Sequence, residues 1–210
     1  VIGGSGAARY VTVTPVGNLS GGPVVITINV SDGTNTTPET FNVTVTPVND
    51  APTIAGPGAQ SINENTSTSA LAVTVGDIDT PVGSLVLTGT STNTTIIPNA
   101  NIVFGGSGAN RTVTVTPAAN QSGGPVTITV TVSDGINSVP TNFTVTVNAI
   151  NDAPTITAIS DQTINEDAST GALAFVIGDI DTPVGSLTVT GTSGTPALIP
   201  NGNIVIAGSG

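Results

Sequence analysis

The sequence predicts an all-β protein built from tandem seven-stranded Greek-key β-sandwiches, about 102 residues per repeat. Three observations predict it. Motifs return at one fixed spacing, apolar residues alternate with threonine at the period of a strand, and turn residues punctuate the chain.

The spacing comes first, because internal repeats decide the architecture. Asn49-Asp-Ala-Pro-Thr-Ile54 returns as Asn151 to Ile156, and the run Asp77 to Leu85 returns as Asp179 to Leu187. Gly3-Gly-Ser-Gly6 returns at Gly105 to Gly108, and loosely at Ala207 to Gly210. These segments lie 102 residues apart. Solenoid units of about 20–45 residues cannot stand alone, whereas a sandwich of about 100 residues can. The frame is offset from the chain: 1–48 reads as the C-terminal half of one repeat, 49–150 as a complete repeat with its linker, and 151–210 as the N-terminal half of the next. The two halves together make up one further sandwich.

Within the complete repeat, Val126-Thr-Ile-Thr-Val-Thr-Val132 alternates apolar and polar residues, as a half-buried strand does. Phe143, Val145 and Val147 mark the next strand, and Ser133-Asp-Gly135 between the two is a hairpin turn. Further strands are expected at Leu71–Val75, Leu85–Thr90 and Ile102–Phe104, around Val113 and Val115, and as a short first strand at Ser61–Ile62. No window has a helical apolar period.

Composition removes most function classes. The chain has 210 residues, a net charge of -11, and Arg9 and Arg111 as its two basic residues. A nucleic-acid partner needs a basic face, and none exists. Direct membrane insertion is not expected, since no apolar run approaches the roughly 20 residues that span a bilayer. Without a leader or an initiating Met, the chain reads as a mature segment or an excised piece. No His, Lys or Cys is present to activate the many hydroxyls, so an enzyme is not expected. Gly105 to Gly108 lies between strands and reads as a turn, not a phosphate cradle. Arg9 and Arg111 read as surface ion pairs or as contacts between chains.

Acids are scarce, so their placement carries information. Ten of the thirteen fall in five pairs at the repeat spacing: Asp32/Asp134, Asp50/Asp152, Glu64/Glu166, Asp77/Asp179 and Asp79/Asp181. Strand order puts Asn49, Asp50, Asp77, Asp79 and Asp134 at one pole of the complete repeat. Glu64 falls at the opposite pole, beside the linker Asn151-Asp152 and the following Asp179 and Asp181. Like charges gathered at a junction repel unless a cation neutralises them, and hard oxygen donors of this kind suit Ca²⁺. The same Asp and Asn residues are also ordinary turn formers.

The Asn-Asp-x-Pro linker, the Asn63-Glu64 after the first strand and the Asp-x-Asp after the second resemble those of cadherin repeats. They resemble still more the cadherin-like and Ig-like repeats of large bacterial surface adhesins and secreted fibres, over the whole chain. The resemblance implies an extracellular, cell-surface or fibre protein, with calcium bound between consecutive domains to stiffen a rod. Carried over, Asn49, Asp50, Asp77, Asp79 and Asp134 form one junction, and Glu64, Asn151, Asp152, Asp179 and Asp181 the next. The linker is shorter than in cadherins and the mid-domain Asp-Arg-Glu motif is absent, so one ion per junction is expected. Asp167, which is Asn65 in the other copy, is expected to tune such a site.

The function expected is therefore a non-enzymatic, calcium-stiffened spacer. Its partners are neighbouring repeats of the same chain or identical chains, with a cell-surface or matrix target. The alternative is a filament or sheath subunit in which half-domains of neighbouring chains complete each other. A ligand-binding adhesive module is the third reading, and no aromatic patch supports it.

Overall fold

Alternating valine and threonine build a pair of sheets because each strand buries one face and wets the other. A computed structural model of the chain describes residues 1–208 and bears out the all-β class. Ser209 and Gly210, the end of the loose third glycine segment, lie outside the described residues. Residues 1–48 form two hairpins, β1 (Ile2–Ser5) with β2 (Ala8–Val11), and β3 (Gly21–Ser31) with β4 (Thr36–Val45).

The complete sandwich follows. It comprises β5 (Thr53–Ala55), β6 (Gln60–Asn63), β7 (Leu71–Gly76), β8 (Val86–Ser91), β9 (Ile102–Ser107), β10 (Asn110–Val115), β11 (Gly123–Ser133) and β12 (Ser138–Asn148). One sheet runs β5-β7-β10-β9 and the other β6-β12-β11-β8. This is the Greek-key division of an Ig-like sandwich. All pairings are antiparallel except that of β6 with β12, which is parallel.

The first strand differs from expectation. It is two strands, one in each sheet, and the sandwich therefore has eight. Gly56-Pro57-Gly58 separates them, and a proline there interrupts the ladder so that the chain can cross from one sheet to the other.

The core is aliphatic. Val113, Val115, Ile128, Val130, Val132 and Val145 are fully buried, and Phe143 is the one aromatic among the buried residues. Each such side chain contributes about 1.5–3 kcal/mol relative to exposure. Ile97 is fully buried although it lies in the loop after β8. The turn around Asn93 holds it there: the Asn93 side chain accepts the N–H groups of Thr95 and Ile96, and its carbonyl accepts that of Ile97.

After the sandwich, among the described residues, the strands are β13 (Thr155–Ile156) and β14 (Ile177–Gly178), paired antiparallel, with 3-10 turns at Val184–Ser186 and Asn201–Asn203. Among the described residues, no helix is long and apolar enough to cross a membrane.

Candidate functional site

The acids gather where the chain enters and leaves the sandwich. At the entrance, Pro52 is fully buried and seats the linker against the domain. Asp77 follows β7, and its Oδ1 accepts the N–H groups of Asp79 at 2.8 Å and Thr80 at 2.7 Å, a turn closed by a side chain. That turn aims Asp79 at the linker, where its Oδ2 accepts the Asp50 N–H at 2.6 Å. Asp134 opens the β11–β12 turn, with Oδ1 accepting from Ile136 at 2.7 Å and Asn137 at 2.6 Å. Its Oδ2 accepts the Asn49 side-chain amide at 2.8 Å. The Asn49 amide, with smaller help from the Asn137 and Ile136 N–H groups, holds the Asp134 carboxyl below the usual carboxylate value.

At the exit, Glu64 follows β6 and is buried, with 4% of its surface exposed. Its Oε1 accepts the Ile150 N–H at 2.5 Å, and its own N–H donates to the Asn148 carbonyl at 2.9 Å. Two residues on, the Asp152 N–H donates to Asp181 Oδ2 at 2.5 Å. Asp179 closes its turn as Asp77 does, accepting from Asp181 at 2.9 Å and Thr182 at 2.7 Å. These two N–H groups hold its carboxyl below the usual value. Asn151 donates its amide to the Asp152 carbonyl at 2.8 Å. The short linker is thus gripped on both sides, at Ile150 by the repeat it leaves and at Asp152 by the repeat it enters.

The structure brings Asn49 to Asp134, Asp50 to Asp79, and Asp152 to Asp181. It does not gather three carboxylates into a group that could hold a metal ion, among the described residues. Asp77, Asp79, Asp134, Glu64, Asp179 and Asp181 each have one carboxylate oxygen engaged by backbone N–H groups instead. Two of the other oxygens, Asp77 Oδ2 and Asp152 Oδ2, are buried without a hydrogen-bond partner. A buried carboxylate oxygen without a donor is unfavourable, and a hard cation is one remedy. The donor types therefore suit calcium, with one orphaned oxygen at each junction.

Other polar residues singled out by the sequence are held by turns and carbonyls. Asn65 and Asp167 sit in left-handed backbone, at φ 59° and 62°, a region that Asn and Asp tolerate better than other side chains. Their position is set by the turn, and Asn65 bonds reciprocally with Asn120 rather than reaching a junction. Among the described residues Arg111 makes no ion pair; it donates to the carbonyls of Gly108 at 2.9 Å and Val82 at 3.0 Å. Arg9 likewise donates to a carbonyl, that of Gly4. Sequence reading missed the backbone partners Thr80, Ile136, Asn137 and Ile150, which no residue type announces.

Residues 49–148 match the family model of the bacterial Ig domain. No curated protein matches the chain. Among solved structures, the complex of titin M10 with obscurin-like 1 Ig is 14% identical, with 49% of this chain and 98% of that one covered and a TM-score of 0.36. Titin domains Z1Z2, solved with telethonin, are 15% identical over 60% of this chain and 61% of that one, with a TM-score of 0.40. Domains 4 and 5 of the S-layer protein SbsC are 25% identical over 59% of this chain and 58% of that one, with a TM-score of 0.34.

Proposed function

Residues 49–148 are a bacterial Ig domain in a chain of tandem Ig-like repeats, and from that premise we propose that the protein is a non-enzymatic structural spacer of the cell surface or of a secreted fibre. The observation that carries the reading is the doubly held linker. The Ile150 N–H bonds to Glu64 and the Asp152 N–H to Asp181, so consecutive repeats fix the backbone between them from both sides. A linker with free N–H groups would serve a flexible tether. In the equivalent entering linker, buried Pro52 limits bending further. The absence of His, Lys and Cys from the sequence leaves no activated nucleophile, which favours a structural role.

Calcium belongs to the same proposal. When bound, it neutralises the acids and supplies the positive partner that Asp77 Oδ2 and Asp152 Oδ2 lack. Asn49, Asp50, Asp77, Asp79 and Asp134 would hold it at the entrance, and Glu64, Asn151, Asp152, Asp179 and Asp181 at the exit. Neighbouring repeats are then the primary partners, and an attachment target would lie on another part of the protein.

The experiment is thermal unfolding with and without calcium, paired with small-angle scattering. Binding to the folded state alone raises stability by RT ln(1 + [L]/Kd). A melting temperature and maximum dimension identical in millimolar CaCl₂ and in EDTA would remove the metal from the account. A flexible ensemble under both conditions would remove the spacer.

A further inference from the structure

The two basic residues of the chain, Arg9 and Arg111, stand at equivalent places in the repeat, each ending a run Gly-Gly-Ser-Gly-Ala-x-Arg. In the complete repeat this run forms the turn from β9 into β10. Gly106 and Gly108 sit in left-handed backbone, at φ 78° and 59°, and a Cβ on Gly106 would fall 2.4 Å from the Asn110 carbonyl oxygen. The tight turn brings the Gly108 carbonyl to Arg111 Nε, which donates to it at 2.9 Å. Arg111 is half-buried and lies on the same side of β10 as buried Val113 and Val115. From there its Nη2 donates to the Val82 carbonyl at 3.0 Å, 29 residues back in the chain.

Val82 is the far foot of the loop that carries the entrance acids. The loop leaves β7 at Gly76, runs through Asp77 and Asp79, and lands in the 3-10 turn Val82–Ser84. The β9–β10 turn holds both of its feet. At the near foot the Val75 N–H donates to the Ala109 carbonyl at 2.9 Å, and at the far foot Arg111 takes the Val82 carbonyl. Between the feet, among the described residues, the loop's hydrogen bonds are its own, to Asp77 Oδ1 and the Pro81 carbonyl, except the one from the Asp50 N–H to Asp79.

The two linker holds differ in kind. Glu64, at the exit, is buried directly after a strand, so packing places its carboxylate. Asp79, at the entrance, is exposed and lies on a loop. An exposed hydrogen bond contributes little when its groups must first be ordered, because the entropy of ordering is set against it. Something must therefore order the loop before Asp79 can hold the linker. Asp77 closes its tip, and a guanidinium suits its far foot. The group stays charged at every working pH, its rigid fork of donors reaches two carbonyls at once, and charge-assisted hydrogen bonds are stronger than neutral ones.

We propose that Arg111 is the positioning residue of the entering linker: by tying the Val82 foot to the Gly108 turn, it keeps Asp79 where its carboxylate accepts the Asp50 N–H. Asp79 touches the linker, and Arg111 acts through it. The inference rests on the spacer reading, in which a held linker is what separates a rod from a tether, and it is independent of calcium.

The test follows amide hydrogen exchange by NMR at Asp50 and Ile150 in the full 210-residue chain. In the parent both N–H groups are protected. Arg111→Met keeps the aliphatic stem and removes the guanidinium. Asp50 exchange should then accelerate by roughly 5- to 30-fold, while Ile150 and Ile128, fully buried in β11, keep their rates. Arg111→Lys keeps the charge without the fork, so its Asp50 rate should fall between the two, and it carries the test if the methionine variant folds poorly. Asp79→Ala frees the Asp50 N–H outright, and adding Arg111→Met to it should accelerate Asp50 no further. An Asp50 rate indifferent to both Arg111 substitutions overturns the inference. So does an acceleration shared equally by Ile150, or the same extra factor in the Asp79→Ala background. Those outcomes leave the spacer reading standing, whereas a parent whose Asp50 and Ile150 exchange like a free peptide sinks that reading and the inference with it.

Discussion

Glu64 and Ile150 stand 86 residues apart in the chain, yet the carboxylate of the first accepts the backbone N–H of the second. One buried side chain at the end of β6 therefore fixes the direction in which the chain leaves the sandwich. Asp79 does the same for the entering chain through the Asp50 N–H.

Glu64→Ala should lower the stability of the complete repeat by about 1–3 kcal/mol, because it strands a partly buried donor. Glu64→Gln should cost less, since its amide oxygen still accepts. Chemical denaturation of the three proteins checks the order, and equal stability of all three would refute the linker hold.

The carboxyls of Asp134 and Asp179 are held below the usual carboxylate value by their hydrogen bonds. A carboxylate depressed in the folded state stabilises at pH above its unfolded value, and that stabilisation is lost as pH falls through the folded value. The melting temperature should therefore be level between about pH 5.5 and 8 and fall below about pH 4. Asn49→Ala removes the largest cause of the Asp134 depression. The variant should melt below the parent at pH 7, and the gap should narrow with acid.

Asp77→Asn separates the two duties of Asp77. The asparagine Oδ1 can still accept the Asp79 and Thr80 N–H groups, while the orphaned Oδ2 is replaced by an amide nitrogen. Melting in EDTA should stay within a few degrees of the parent. Any rise caused by calcium should shrink by at least half, and an undiminished rise would place the ion elsewhere.

Asn65→Ala should cost about 1–3 kcal/mol, since alanine is strained at φ 59° and the bonds to Asn120 are lost. Asn65→Gly keeps the backbone at ease and should recover part of the loss. For a domain of this size, each kcal/mol moves the melting temperature by about 4–8 °C, which calorimetry resolves.

Much of the sandwich was legible because its signals are periodic. The alternation from Val126 to Val132 marks β11, and the 102-residue spacing marks the repeat and the positions of its acids. Short elements carried too little pattern. β5 has three residues, so the first strand read as one strand where the fold has two. Ile97 is as buried as any valine of β11, but it sits in a loop with no period to mark it. At the junctions, residue types identified Asp77, Asp79 and Asp134. Their main partners are backbone N–H groups, which every residue except proline offers, so the turns they close were invisible until the chain was folded.

The parallel pairing of β6 with β12 carries a mechanical consequence. β6 follows the entering linker and β12 precedes the leaving one, and the two share the register from Gln60–Val145 to Asn63–Asn148. Tension applied through the two linkers draws these strands in opposite directions along their length, so the rungs are loaded together in shear instead of being unzipped singly. Rupture of a repeat would then demand that this whole short ladder give way at once.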